Sequence, residues 1–342
     1  MKVSVLMPVY NAADTLPECI DSILKQSLAD FEIIAIDDFS DDRSIDILRS
    51  YHDGRIRIFD NTIKGIVPAL NLGLEYCRSD YVARMDADDI MSEIRLEKQL
   101  AAMMEDDGIT LCASQARKFP QAIIQPGYIE YMRWQNACLS EADIANEIYI
   151  ESPFAHPTVM FRKHRILELG GYHNGDFPED YELWLRLFHA GKRMIKIEEV
   201  LLDWRESESR LSRNDHRYSL TAFEKLRAEY LLKDARLADR KIVFWGAGRK
   251  TRQRAQYLID LGIRPTAWID INSGIIGNRY HGAKTCLPEC LLKPERLHEV
   301  FKAEKKKPFV LNYVRNHGAR LACRDFLDTA GYIRGQDYLD VA

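Results

Sequence analysis

The chain has 342 residues, 46% of them hydrophobic, and carries 48 Lys+Arg against 52 Asp+Glu for a net charge of −4. That length allows two domains with sizeable cores, and the balanced charge excludes the basic field of a nucleic-acid binder. Seven scattered cysteines with no Cys-x-x-Cys pair argue against a disulfide framework or a structural zinc, and a reducing cytosol suits them.

The opening Met1-Lys2-Val3-Ser4-Val5-Leu6-Met7-Pro8 lacks the length and cleavage site of a secretory signal. No apolar run approaches the ~20 residues that span a bilayer. The expectation is a soluble cytoplasmic protein, with any membrane association peripheral and at the inner face of the cell membrane.

Val3 to Met7 and Glu32 to Ile36 are short apolar runs of buried-strand type. Between them Leu16, Ile20, Ile23 and Leu24 recur at helical spacing, and Thr15-Leu16-Pro17-Glu18 reads as a capping box. A helix over Asp42 to Ser50, a strand over Arg55 to Phe59, a helix over Val67 to Tyr76 and a strand over Tyr81 to Met85 follow. This β-α-β-α-β order predicts a mostly parallel sheet covered by helices. From about 110 to 215 the pattern is less regular, with a strand at Thr158 to Phe161 and a helix from Asp180 to Ala190. Ser219 to Leu232 places Leu220, Phe223, Leu226, Tyr230 and Leu231 on one helical face, inside a linker of about 214–235.

After Asp239 the alternation restarts: strand Ile242 to Trp245, turn Gly246-Ala247-Gly248, helix Thr251 to Leu261, strand Thr266 to Ile269 ending at Asp270, and a strand over Phe309 to Asn312. The run Lys305-Lys306-Lys307 before that strand reads as a solvated face. The boundary is placed near Ala238, giving domains 1–238 and 239–342.

The run Arg84-Met85-Asp86-Ala87-Asp88-Asp89 puts three carboxylates into four positions directly after a predicted strand. Like charges this close repel, and each resists desolvation. A divalent cation with hard oxygen preferences resolves the conflict, and a cation at a strand end suggests a phosphorylated ligand. Capping a helix that begins near Ser92 accounts for Asp89 but not for all three, so Asp86 and Asp88 are the metal or ligand candidates. Asp37-Asp38 occupies a second strand end, where open parallel sheets bind ligands. Neither a Gly-x-x-x-x-Gly-Lys-Ser/Thr loop nor a Gly-x-Ser-x-Gly elbow occurs.

Four segments then resemble one family in the right order. They are Val3 to Asn11 with Ile36 to Asp42, Asn71-Leu72-Gly73-Leu74, Asp86-Ala87-Asp88-Asp89, and Gly170-Gly171-Tyr172 followed by Pro178 to Arg186. Over roughly residues 1 to 215 the chain resembles family 2 glycosyltransferases of the GT-A fold. The resemblance implies inverting transfer of a sugar from a nucleotide-sugar donor, usually a uridine one, to an acceptor hydroxyl on a glycan or lipid-linked carrier, with no nucleic-acid partner. It assigns donor binding to Pro8, Val9, Tyr10, Asn11, Asp38 and Asp86, and a metal, Mn²⁺ or Mg²⁺, to Asp88. Asp180 becomes the base, with Glu179, His156 and Trp184 on the acceptor side. Leu202-Asp203-Trp204-Arg205 resembles the family's aromatic-Arg element, which points Arg205 at the diphosphate. Relatives often carry a histidine two residues later; here that position is Ser207, and His216 is the nearby imidazole. The bland alternative for Glu179-Asp180 is a favourable charge at a helix N-terminus, and for His156 a structural role.

Gly246, Gly248 and Asp270 sit in the context of a dinucleotide fold, although the third glycine position is Thr251. The segment resembles a Rossmann-like sugar-nucleotide-binding domain, so both a nucleotide site and a docking surface are open there. Two rival functions remain. A sugar nucleotidyltransferase needs a Gly-rich basic loop where Pro8-Val9-Tyr10-Asn11-Ala12 stands. A non-catalytic nucleotide-sugar sensor or scaffold predicts binding confined to 239–342.

Overall fold

β1 (Val3–Val9) and β2 (Phe31–Asp37) are buried along their whole lengths, as strands covered on both faces must be. The computed structural model describes residues 1–121, 124, 126–207, 210–292 and 307–342. Lys305 and Lys306 therefore lie outside the described residues. Contacts divide the chain into two units, Met1–Ile144 with Ser152–Tyr218, and Ala145–Glu151 with Ser219–Ala342.

The first unit carries an eight-stranded sheet in the order β3-β2-β1-β4-β7-β6-β8-β5. The remaining strands are β3 (Ile56–Asp60), β4 (Tyr81–Arg84), β5 (Ile90–Met91), β6 (Ile109–Phe119), β7 (Met160–Arg162) and β8 (Arg193–Arg205). The first four in spatial order are mutually parallel. β7 then runs antiparallel to both β4 and β6, β8 runs parallel to β6, and β5 is antiparallel to β8. Val3, Val5, Met7 and Val9 pack one face of β1 against Leu16, Ile20 and Ile23 of the helix Leu16–Leu24. On the other face Leu6 reaches the helix Ile66–Tyr76 at Gly73, where a Cβ would lie 2.1 Å from Leu6 Cδ1.

The predicted elements of the parallel half fall within about two residues of the observed ones. The capping box does not form. Thr15 is itself near-helical (φ −112°, ψ −24°), and its hydroxyl donates to the carbonyls of Ala12 and Ala87, both at 3.3 Å. The two longest strands, β6 and β8, have no counterpart in the sequence reading.

The second unit has a six-stranded sheet, β11-β12-β10-β9-β13-β14. Its strands are β9 (Ile242–Trp245), β10 (Pro265–Ile269), β11 (Arg279–Tyr280), β12 (Ala283–Cys286), β13 (Phe309–Asn312) and β14 (Tyr338–Asp340). All pairings are parallel except β11 with β12. β9 is central, with β10 and β13 on opposite sides, which makes its carboxyl end a topological switch point. The helix Leu220–Leu232, capped by Ser219 Oγ accepting from Ala222 N–H, groups with this unit. So does Ala145–Glu151, whose Glu147 meets Arg334 at 2.7 Å and Arg324 at 3.3 Å. All seven cysteines are free, and among the described residues no helix is long and apolar enough to cross a membrane.

Candidate active site

The loops after β1 and β2 lock one another. Asn11, left-handed at φ +48°, donates its amide to Asp41 Oδ1 at 2.7 Å and accepts from Asp41 N–H at 2.9 Å. Its backbone N–H donates to Ser40 Oγ at 3.1 Å. Pro8 and Val9 belong to β1 and are buried, so of the four predicted donor residues in this loop only Tyr10 and Asn11 present side chains to solvent. Tyr10 is half exposed, with the Lys64 ammonium 4.6 Å above its ring. The buried Asp38 carboxylate accepts Asn61 Nδ2 at 2.7 Å and Gly65 N–H at 2.8 and 3.0 Å. It therefore fixes the loop after β3 as well as lying beside Tyr10's strand end.

Asp86, Asp88 and Asp89 follow β4, and each offers a carboxylate oxygen within 4.8 Å of the others. The backbone that holds them is pinned from the helix Leu16–Leu24 and its cap: Thr15 donates to Ala87 O at 3.3 Å, and the Cys19 thiol donates to Asp86 O at 3.2 Å. Asp89 is no helix cap. The next helix, Arg95–Glu105, starts later with Ile94 at its cap position, and Asp89 is fully buried with Oδ1 accepting Arg205 N–H at 2.7 Å. Its Oδ2 has no hydrogen-bond partner among the described residues. Burial, then the charge of Asp86, pushes Asp88 up to about 6; burial, then Asp88 and Asp86, pushes Asp89 well above the usual carboxylate range. Crowded hard oxygens, one of them buried and unpartnered, fit a divalent cation.

Arg205 stands at this cluster. Its Nε donates to Asp88 O at 2.6 Å, its Nη2 pairs with Glu18, and its guanidinium lies 4.4 Å from the Phe119 ring centroid. Asp86 pairs with the buried Arg84. His216 is elsewhere: it is largely exposed and meets Asp176 at 3.2 Å and Asp215 at 3.3 Å.

A second group of titratable side chains surrounds the start of the helix Glu179–His189. Glu179 is 3% exposed and accepts the Tyr218 hydroxyl at 2.6 Å. Burial, then the neighbouring Glu179, raises Asp180 to about 7. His156 Nε2 lies 2.9 Å from Tyr172 Oη, and its Nδ1 is 3.8 Å from Glu179 Oε1. Burial, then the Arg84 charge, holds His156 well below 6.5, so its imidazole is neutral. Trp184 is fully buried, its ring edge-on to His156 at 5.8 Å and to Phe154 at 5.7 Å. Trp184 therefore packs against the buried His156 and Phe154 rings. Asn71 joins two of the sequence motifs through a reciprocal amide pair with Tyr172, 2.9 Å in each direction.

Residues 4–170 match the model of the glycosyl transferase family 2. The O-antigen biosynthesis glycosyltransferase WbnJ of Escherichia coli is 33% identical over 208 residues, 59% of this chain and 79% of that protein. The UDP-Gal:alpha-D-GlcNAc-diphosphoundecaprenol beta-1,3-galactosyltransferase of Escherichia coli is 32% identical over 235 residues, 67% of this chain and 82% of that protein. The chain belongs to glycosyltransferase family 2.

The enzyme's fold is also similar to that of S. aureus TarS 1–349 in complex with UDP-GlcNAc, with TM-score 0.54 at 16% identity over 76% of this chain and 71% of that one. The GT-A fold therefore carries the site, and a Rossmann-like α/β unit follows it. Sequence reasoning missed three side chains here. Tyr218 and Tyr172 reach the Glu179 group, and Arg84 pairs with Asp86 while its charge acts on Glu179, Asp180 and His156. Arg84 and Tyr172 stood inside quoted motifs; Tyr218 had no local signal.

In the second unit Gly246, Gly248 and Asp270 do converge. Asp270 accepts Ala247 N–H at 2.7 Å and Asn272 N–H at 2.9 Å. Gly246 has φ +103°, and a Cβ there would lie 2.6 Å from Thr251 Cγ2, so local packing alone demands this glycine. Gly248 is the residue before the helix Arg249–Asp260, with open space where a Cβ would stand.

Proposed function

We propose that the enzyme is a cation-dependent, inverting glycosyltransferase that moves a sugar from a UDP-linked donor to an acceptor hydroxyl in the cytoplasmic assembly of a surface polysaccharide or lipid-linked glycan. The observation that carries this reading is the pairing of two distinct acidic groups: Asp86, Asp88 and Asp89 with oxygens within 4.8 Å of one another, and Asp180 raised to about 7 at a helix start. Relatives named for O-antigen and amylovoran biosynthesis, and one named for UDP-Gal and a diphosphoundecaprenol acceptor, support the pathway class and the donor.

Asp88, with Asp86 and Asp89 beside it, would hold Mn²⁺ or Mg²⁺. When bound, the cation supplies positive charge for the leaving diphosphate. Tyr10 offers a flat face for the base, and Asp38 holds the loops that frame it. Asp180 accepts the proton of the acceptor hydroxyl as that oxygen attacks the anomeric carbon, and the bond from that carbon to the diphosphate oxygen breaks with its electron pair going to the diphosphate. Attack opposite the leaving group inverts the anomeric centre. Glu179 and His156 shape the acceptor side, and the Gly246–Gly248 turn is a candidate nucleotide contact in the second unit.

The test is a panel of UDP-, GDP- and dTDP-sugars, each assayed for hydrolysis and thermal stabilisation with Mn²⁺ and again with EDTA. Stabilisation by UDP-sugars that EDTA abolishes is the expected result. Equal turnover in EDTA would remove the cation from the reading, and preference for GDP- or dTDP-sugars would remove uridine.

A further inference from the structure

The buried carboxylate of Glu179 receives a hydroxyl from outside its own motif. Tyr218 is the last residue of the short 3-10 turn His216–Tyr218, and its hydroxyl donates to Glu179 Oε2 at 2.6 Å. The turn is held by a local fork. Arg217 donates through Nη2 to Asp215 Oδ2 at 2.7 Å and through its backbone N–H to Asp215 Oδ1 at 2.9 Å. Burial, then the negative charges of Glu179 and Asp180, drives the Tyr218 phenol well above its ordinary value, so it remains a donor throughout the working pH range.

We propose that Tyr218 is a positioning residue for the transfer step: its hydroxyl keeps Glu179 ionised beside Asp180 and so keeps Asp180 ready to take the proton of the acceptor hydroxyl. The inference rests on the reading of Asp180 as the base.

The charges around the pair make the direction definite. Burial raises the proton affinity of Glu179, and the Tyr218 hydrogen bond is the leading influence that opposes this. Arg84 from β4 and Arg217 from the turn also oppose it. The neutral His156 sits 3.8 Å away, too far for a hydrogen bond, and is turned to Tyr172 through its other nitrogen. An ionised Glu179 in turn raises the proton affinity of Asp180, whereas Arg84 lowers it. Loss of the hydroxyl removes the leading influence that opposes burial, so the proton affinity of Glu179 rises further and its neutral form is favoured. Asp180 then loses its like-charged neighbour and becomes a weaker base.

The experiment needs no substrate. The carboxyl signals of [¹³C]Asp-labelled full-length enzyme are titrated by NMR, with Asp180 assigned as the signal that vanishes in Asp180→Asn. In the unaltered enzyme its midpoint is expected near 7. In Tyr218→Phe it should fall by about one pH unit. Glu179→Gln removes the same charge and should lower it at least as far, which asks the question again if the Phe variant folds poorly. Tyr218→Phe on the Glu179→Gln background should add no further shift. A midpoint unmoved in Tyr218→Phe, or in Glu179→Gln where that variant has to stand in, overturns the proposal. An unaltered enzyme whose Asp180 titrates near the ordinary ~3.9 would instead undo the base reading beneath it.

Discussion

Arg205 donates its backbone N–H to the Asp89 carboxylate at 2.7 Å, tying the end of β8 to a residue 116 positions earlier. That bond gives Asp89 a tertiary role and leaves its other oxygen buried without a hydrogen-bond partner among the described residues. Three carboxylates so close cost stability when no cation is bound. Asp89→Asn retains an oxygen for Arg205 and removes one charge. The cation-free enzyme should gain on the order of 1 kcal/mol, read as a higher Tm in EDTA. The same variant should lose the stabilisation that Mn²⁺ gives the native enzyme.

Asp88→Ala removes the proposed cation ligand while sparing the contact to Arg205 Nε, which is made by the Asp88 backbone carbonyl. Even outer partners of metal sites are worth about 10- to 100-fold in affinity, so loss of a direct ligand should weaken Mn²⁺-dependent UDP binding by at least about tenfold. Calorimetric titration of UDP with and without Mn²⁺ measures this. An unchanged Mn²⁺ enhancement in Asp88→Ala would move the cation elsewhere.

Burial, then the Glu179 charge, raises Asp180 to about 7, well above the ordinary 3.8 of an aspartate. Proton transfer needs the carboxylate, so kcat at saturating donor, acceptor and Mn²⁺ should fall as pH drops through about 7. Stability responds in the opposite direction to activity. The folded state holds this proton more tightly than the unfolded one, so Asp180 lowers stability as pH rises from 3.8 toward 7. Asp180→Asn should cut transfer by about 10²- to 10⁴-fold while UDP binding stays intact. Transfer at the native rate would displace Asp180 from its role.

The parallel half of the first sheet was legible because strands covered on both faces are continuous apolar runs, as in Val3 to Met7 and Ile33 to Ile36. β6 and β8 were not, because their buried positions include cations whose partners are remote. Lys196 is buried in β8 by bonding to the carbonyls of Gln135 and Pro153, and Lys118 is buried in β6 against Glu206 and the Trp204 ring. Read locally, such lysines look like solvated loop. The clustering of Asp86, Asp88 and Asp89 was legible because they are nearly contiguous in sequence. Asp89 was misread for the same reason: a nearby helix offered a local explanation, while its actual partner lies 116 residues away. Tyr218 reaches Glu179 across 39 residues, and no periodicity or motif encodes that approach.

The amide pair between Asn71 and Tyr172 spans 101 residues and holds the backbone that presents Tyr172 to His156. Gly171 crosses this joint at φ +72°, and a Cβ there would lie 2.7 Å from Asn71 Oδ1. Gly171→Ala is therefore strained in its own backbone and also pushes against the amide; a loss of about 1–3 kcal/mol is expected. Asn71→Ala leaves the N–H and C=O of Tyr172 without their partner, and the cost should be of similar size, about 1–3 kcal/mol. The two positions share one interaction, so the double variant should lose less than the sum of the single losses. Urea unfolding of the four proteins gives the cycle. Strict additivity would mean that the glycine serves only its own backbone and that the amide pair does not need it.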